Sequence, residues 1–112
     1  MDKINRESEI GRLRTMAKNN AISHEDAEIL GLRVLAFIAS DPALLERFTN
    51  TTGVSVEDLR QRANSSEILL ACFNEILRNE TDLLMFCANA GIEPETVRLA
   101  EAILEGLPRD DQ

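Results

Sequence analysis

The chain has 112 residues, of which 44% are hydrophobic and 29% charged, and it carries a formal net charge of −8. This composition is typical of one globular domain and excludes a long disordered linker. The longest apolar run is far shorter than the about 20 residues that a transmembrane helix needs, and the N-terminal residues lack the apolar core of a signal peptide, so we expect a cytoplasmic protein without a membrane span.

The charge is distributed unevenly along the chain. Five basic and three acidic side chains give residues 1–20 a charge of +2, which leaves −10 for residues 21–112. An acidic body repels phosphate groups, so this distribution disfavours a nucleic-acid partner.

The N-terminal segment, residues 1–22, contains the pattern of one amphipathic helix. From about residue 8 to residue 18 the apolar side chains recur at spacings of three and four, which places them on one helix face. We expect this relatively basic helix either to pack on the rest of the chain or to be partly mobile. Its apolar residues are Ile10, Leu13, Met16 and Ala17.

Two helices joined by an aspartate–proline pair are predicted next. Ser23 is followed three positions later by an acidic residue, which predicts a capped helix over about 24–39. Asp41 and the proline after it then begin a second helix, which runs to about residue 51 and ends at Gly53. The first of these helices has one apolar face, made of Ala27, Leu30, Val34, Leu35 and Ile38.

Four further helices have similar start and stop signals. Ser55 caps a short helix that lasts until about Ala63, where three small polar residues break it. An apolar helix over 67–78 follows. Asn79 then caps a helix that ends at Gly91, and a last helix runs from the next proline to about residue 105.

These signals predict an all-α fold. We expect a compact bundle of about six to seven helices. The bundle forms a single domain over residues 23–107, and residues 108–112 form an acidic disordered tail.

The predicted helices repeat after a shift of 38 residues. Between residues 32 and 60 this shift pairs seven identical residues, among them Phe48 with Phe86 and Gly53 with Gly91. Chance would give about two such pairs. The pattern predicts two three-helix units, 24–63 and 67–105, that bury their apolar faces against each other.

The two copies of one stretch, residues 48–60 and 86–98, have the spacing of a helix-turn-helix corner. The second copy leads into a helix with four glutamates and the single basic residue Arg98, which would repel a phosphate backbone. The first copy has Arg60 and Arg62 as candidate nucleic-acid contacts. A structural corner is the favoured interpretation, and DNA binding through these two arginines is the alternative.

No group of residues in the sequence indicates catalysis, a metal or a cofactor. His24 and Glu28 share a helix face but have no further ligands marked, and Cys72 and Cys87 are predicted to be buried free thiols. Gly31 lies inside a predicted helix, which indicates a close helix crossing. The phenylalanines are all predicted to be core residues: Phe37, Phe48, Phe73 and Phe86.

Three stretches carry a resemblance to a known family: SHEDAEILGLRVLAFIASDPALLERF, TTGVSVEDLRQRA and LRNETDLLMFCANAGIEPETV. In this order they resemble a group of small, uncharacterised alphaproteobacterial proteins, the domain of unknown function 3572. The resemblance covers residues 23–105. It implies no activity, cofactor or partner, and therefore no site residue.

The sequence thus leads to three hypotheses about function. The first is a non-catalytic cytoplasmic module that binds another protein, with a homo-oligomer left open. The second is a helix-turn-helix-like DNA-binding or transcription-associated protein, and the third is an enzyme.

Overall fold

The computed structural model of the protein describes residues 22–106, and this part of the chain is all-helical. The amphipathic helix predicted at 8–18 and the tail predicted at 108–112 lie outside the described residues. Six helices follow one another: α1 (His24–Ala39), α2 (Pro42–Thr52), α3 (Val56–Gln61), α4 (Ser66–Arg78), α5 (Glu80–Ala90) and α6 (Pro94–Glu105).

The helices begin at the caps that the sequence predicts. Ser23 forms a capping box with Asp26, because the serine hydroxyl accepts from the Asp26 N–H at 3.0 Å and the Asp26 carboxylate accepts from the Ser23 N–H at 3.2 Å. The Asp41 carboxylate accepts from the first backbone N–H groups of α2, and the Asn79 amide oxygen does the same for α5. These local hydrogen bonds satisfy donors that a helix start would otherwise leave unpaired.

Helices α2 and α5 both end at a glycine in the left-handed conformation. Gly53 has a φ of 79° and Gly91 a φ of 72°, and in each case the glycine N–H donates to the carbonyl four residues earlier. Only glycine adopts this conformation without a steric penalty, which confirms the predicted ends of both helices.

Helix α3 is shorter than predicted. It ends at Gln61 rather than at Ala63, because Arg62 leaves the helical conformation. The Ser65 N–H donates to the Arg62 carbonyl at 3.0 Å, and the Ser65 hydroxyl then caps α4. The small polar residues therefore serve the start of the next helix rather than the end of α3.

The core lies where α1, α4 and α6 pack against one another. Helix α2 lies beside α1 and helix α5 beside α4, whereas α3 contributes a single buried residue, Leu59. The predicted apolar face of α1 is buried as a whole. The largest fully buried side chains are Phe48, Phe73, Leu30, Ile38, Leu69, Ile76 and Val34.

Gly31 lies at a close approach of α1 to α4, as its sequence position predicted. A Cβ atom added to Gly31 would lie 3.1 Å from the Leu69 Cβ and 3.2 Å from the Phe73 Cε2. Both neighbours belong to α4, and the Leu69 Cβ is fixed to the helix backbone. A side chain at Gly31 would therefore require its neighbours on α4 to move by a few tenths of an ångström.

The variant Gly31→Ala tests this crossing. Alanine would gain about 1 kcal/mol in helix propensity, but overpacking a core costs about 1–3 kcal/mol. Because the nearest atom cannot rotate away, we expect a net loss of about 1 kcal/mol in the free energy of unfolding, measured with urea.

Ala36→Gly is the matched control, since Ala36 is exposed on the same helix. This variant should lose about 1 kcal/mol of unfolding free energy from helix propensity alone. A Gly31→Ala protein more stable than the unmodified chain would contradict the close crossing.

Candidate interaction surface

The two arginines predicted as alternative nucleic-acid contacts are both engaged with carboxylates. Arg60 Nη1 lies 3.8 Å from the Glu57 Oε1, and Arg62 Nη2 donates to the Glu67 Oε1 at 2.7 Å. All four side chains are largely exposed, so each pair contributes little to stability. The pairing does reduce the local positive charge that a phosphate backbone would need.

The second helix-turn-helix-like corner leads into a helix that is part of the core. Helix α6 packs against both α1 and α4, and it buries Thr96, Val97, Ala100 and Leu104. The charged residues outside this face are Glu95, Arg98, Glu101 and Glu105, and burial raises the pKa of Glu101 with a further contribution from Glu105. An acidic outer face does not suit contact with DNA.

Helix α1 is apolar on its outer face as well as on its core face. After Ala27 its only polar residues are Glu28 and Arg33. Ile29, Leu32 and Ala36 follow one another at spacings of three and four, so they form one stripe, and Leu32 is 39% exposed. A helix that is apolar all round is normally covered on every side.

A cleft of about 250 Å³ lies between α1 and α5, next to this stripe. The ring of Phe37 packs edge-on against the ring of Phe86, with 5.5 Å between their centres. Phe86 is buried, but Phe37 is only partly buried, so the prediction that all four phenylalanines are core residues was wrong for Phe37. The cleft, called the α1–α5 cleft below, is lined by Arg33, Ala36, Phe37, Phe86, Asn89 and Ala90.

Met85 extends the apolar surface on the α5 side of the cleft. Its side chain is 53% exposed, and it lies one helical turn before Asn89 on the same face of α5. Methionine is flexible and polarisable, and it is common at surfaces that bind other proteins.

The comparisons with known proteins identify a family. A family model described as a protein of unknown function (DUF3572) matches residues 24–107. The chain belongs to this DUF3572 family. No curated protein and no solved structure matches it. The match confirms the resemblance to this family, while alphaproteobacterial origin stays a prediction.

In this DUF3572 protein the residues with potential chemistry do not converge. His24 Nδ1 lies 3.6 Å from the Glu28 Oε2, and both side chains are exposed. Within residues 22–106 no three histidine, cysteine, aspartate or glutamate side chains are grouped closely enough to hold a metal ion. None of the helices in this range is long and apolar enough to cross a membrane.

Both cysteines are buried free thiols, as predicted. Burial raises the pKa of the Cys72 thiol to about 12. Burial also raises the pKa of Cys87, with a smaller contribution from the nearby charge of Glu93. A thiol with a raised pKa is a poor nucleophile at neutral pH, because the thiolate is the reactive form.

A group of ion pairs joins α2 to α4 and α5. Glu75 is buried, and its carboxylate accepts from the Arg47 Nε at 3.2 Å and from the Arg78 Nη2 at 2.6 Å. Arg47 also donates to the Asp82 carboxylate. Sequence analysis missed this group, because its members lie on three helices and share no local spacing.

Thiol labelling tests whether the two buried cysteines are unreactive in the folded protein. We expect a chromogenic disulfide reagent at pH 8 to label neither thiol of the folded protein rapidly, and to label both at once in urea. The variant Cys87→Ser isolates Cys72, which we expect to react only as fast as the protein opens. Immediate labelling of folded Cys87→Ser would contradict the raised pKa of Cys72.

Proposed function

We propose that this protein is a non-catalytic, cytoplasmic helical module that binds another protein at the α1–α5 cleft. The observation that supports this most directly is the apolar outer face of α1, where Leu32, Ala36 and Phe37 remain exposed or half-buried. Apolar patches bordered by polar residues are typical of protein interaction sites. Arg33 and Asn89 are the polar residues at this border.

The surface charge indicates what kind of partner would fit. Residues 22–106 contain fifteen acidic and six basic side chains, a net charge of −9. A partner with a net positive charge would be attracted to this surface, because opposite charges accelerate association and exclude wrong partners. An amphipathic helix whose basic residues lie away from Arg33 fits the shape of a groove between two helices.

The absence of catalysis is part of the proposal. In residues 22–106 no buried side-chain nitrogen or oxygen is without a hydrogen-bond partner. Active sites commonly retain such groups, or thiols and carboxylates with pKa values shifted towards neutrality, for use on a substrate. The pKa of the Cys72 thiol is shifted away from neutrality instead. The pKa of Glu101 is raised by burial, but this carboxyl is only partly buried and its charged neighbour is another glutamate, Glu105.

Nucleic-acid binding through Arg60 and Arg62 is the weaker alternative. It has the corner geometry in its favour, since Gly53 turns the chain between α2 and α3 as a helix-turn-helix corner requires. The carboxylates of Glu57 and Glu67 beside the two arginines weigh against it.

We also propose that the domain consists of two copies of one three-helix unit. Helix α5 begins and ends 38 residues after α2, and α6 begins 38 residues after α3. Gly53 and Gly91, which are also 38 apart, have the same left-handed conformation. The third helices differ in length, since α3 has 6 residues and α6 has 12, so the copies would have diverged there.

An exchange of corners tests the equivalence of the copies. Residues 48–54 are replaced by the sequence of residues 86–92, FCANAGI. We expect the chain to keep its helical circular dichroism and cooperative unfolding, because phenylalanine and glycine stay at equivalent positions. The same exchange with alanine instead of glycine at position 53 is the control, since alanine is strained in the left-handed conformation, and the free energy of unfolding of this variant should fall by about 1–3 kcal/mol more. Equal losses of unfolding free energy in the exchange and in its control would contradict the equivalence of the two corners.

The binding proposal is tested by placing arginine in the cleft. Ala36 and Ala88 are both exposed helical alanines, but only Ala36 lines the α1–α5 cleft. Arginine has nearly the helix propensity of alanine, so neither variant should unfold the protein. We expect Ala36→Arg to weaken binding of a partner recovered with the tagged chain by about tenfold or more, and Ala88→Arg to leave it unchanged.

Calorimetry with the purified partner gives both affinities. An equal affinity of Ala36→Arg and the unmodified chain would show that the partner binds elsewhere, and would overturn the assignment of the cleft.

A further inference from the structure

Helix α5 has an uncharged outer face. After Glu80, its exposed residues recur at spacings of three and four, so they lie on one side of the helix. Asp82 is the one charged residue of α5 after Glu80, and its carboxylate accepts from Arg47 of α2. Asn89, at one edge of this side, lines the α1–α5 cleft. The other exposed residues, called the α5 face below, are Thr81, Leu84, Met85 and Ala88.

Two large apolar side chains lie at the centre of the α5 face. Leu84 is 49% exposed and Met85 is 53% exposed. The described part of the chain has four exposed large hydrophobic side chains, and these two are the only ones adjacent in sequence. Burial of both against another apolar face would be favourable, because it removes their surface from water.

The charge of the protein limits where two copies of the chain can meet. Residues 22–106 carry a net charge of −9, so two copies repel each other over much of their surfaces. A contact about a two-fold axis uses the same surface patch on both copies. The outer side of α6 would bring Glu95 and Glu105 against the same carboxylates of a second copy. The α5 face has no charge to repeat, so it can pair with itself.

We propose that two copies of this chain pair through the α5 face, with their α5 helices antiparallel about a two-fold axis. Thr81 then lies opposite Ala88 of the second copy, and the two large apolar side chains lie near the axis. The acidic first turns, with Glu80 and Asp82, lie at opposite ends of the helix pair, farther apart than the Debye length of about 8 Å. A parallel arrangement would place these acidic turns side by side.

The size of the α5 face implies a weak dimer. Helix α5 has 11 residues and is therefore about 16 Å long. One face of such a helix is smaller than the about 800 Å² per copy that a standard interface buries. We therefore expect a reversible dimer with a dissociation constant of about 10–100 µM.

The test is sedimentation velocity of the full chain at concentrations from about 10 µM to about 1 mM. We expect Ala88→Glu to raise the dissociation constant about tenfold or more, because the new carboxylate lies opposite the acidic first turn of the second copy. Ala43→Glu is the matched control, since Ala43 is an exposed alanine of α2 and the charge change is the same. It should change the dissociation constant by less than about threefold.

Three outcomes of this experiment would overturn the proposal. The first is an unmodified chain that remains a monomer at about 1 mM. The second is an equal effect of Ala88→Glu and Ala43→Glu, which would reflect net charge rather than the α5 face. The third is a mass that keeps growing beyond that of a dimer, because a two-fold contact closes on itself.

A second substitution tests the antiparallel orientation and also shows that Ala88→Glu is folded. Thr81→Arg added to Ala88→Glu places opposite charges across the interface in the antiparallel dimer. We expect this double variant to dimerise within about threefold of the unmodified chain. In a parallel dimer each new charge would meet its own copy, and the double variant would associate more weakly than Ala88→Glu alone. That result would overturn the arrangement.

This inference goes beyond the proposed function, and its failure is separable from a failure of that function. Ala88 does not line the α1–α5 cleft, whereas Ala36 does. Ala36→Arg should therefore weaken binding of the partner protein and leave the dissociation constant of the dimer unchanged. A dimer insensitive to Ala88→Glu overturns the present inference. A partner affinity insensitive to Ala36→Arg overturns the proposed function, whatever the mass of the protein in solution.

Discussion

The close crossing of α1 and α4 at Gly31 is the constraint on which the rest of the domain depends. With no side chain at this position, the backbone of α1 lies against Leu69 and Phe73 of α4. Helix α6 then contacts both of them, and the three helices enclose the main core. A Cβ atom at Gly31 would come within 3.1–3.3 Å of Leu69 and Phe73, so these neighbours would have to move, and α6 packs on the same two helices.

The two glycine corners serve this core differently. Both Gly53 and Gly91 turn the chain in the left-handed conformation, yet the helix after Gly91 enters the core, and the short helix after Gly53 contributes only Leu59. Similar left-handed turns therefore lead to a central helix in one case and a peripheral one in the other. Corner geometry alone does not identify a DNA-reading helix, because the same turn is used here for packing.

The sequence predicted the local features of this fold and missed the non-local ones. Caps such as Ser23, Asp41 and Asn79 act on their own first turns, so their patterns define where helices begin. Phe37 was assigned to the core because it has helical spacing, but α1 is apolar on all sides, and its periodicity does not determine which side faces α4 and α6. The ion pair of Arg47 with Glu75 joins residues 28 positions apart, which no local pattern reveals.

Two junctions of the domain illustrate how the candidate surface arises. At the junction of α2 with α4, Arg47 contacts the buried carboxylate of Glu75, so a charged pair covers this junction. The positions 38 residues away are Met85 and Phe37; Phe37 lines the α1–α5 cleft, and Met85 is exposed on α5. No charge pair can form between these two side chains, and the apolar surface they leave gains free energy only when another apolar group covers it. Under the proposed repeat, the charged pair that closes the first junction therefore corresponds to an apolar pair at the second, where the proposed binding surface lies.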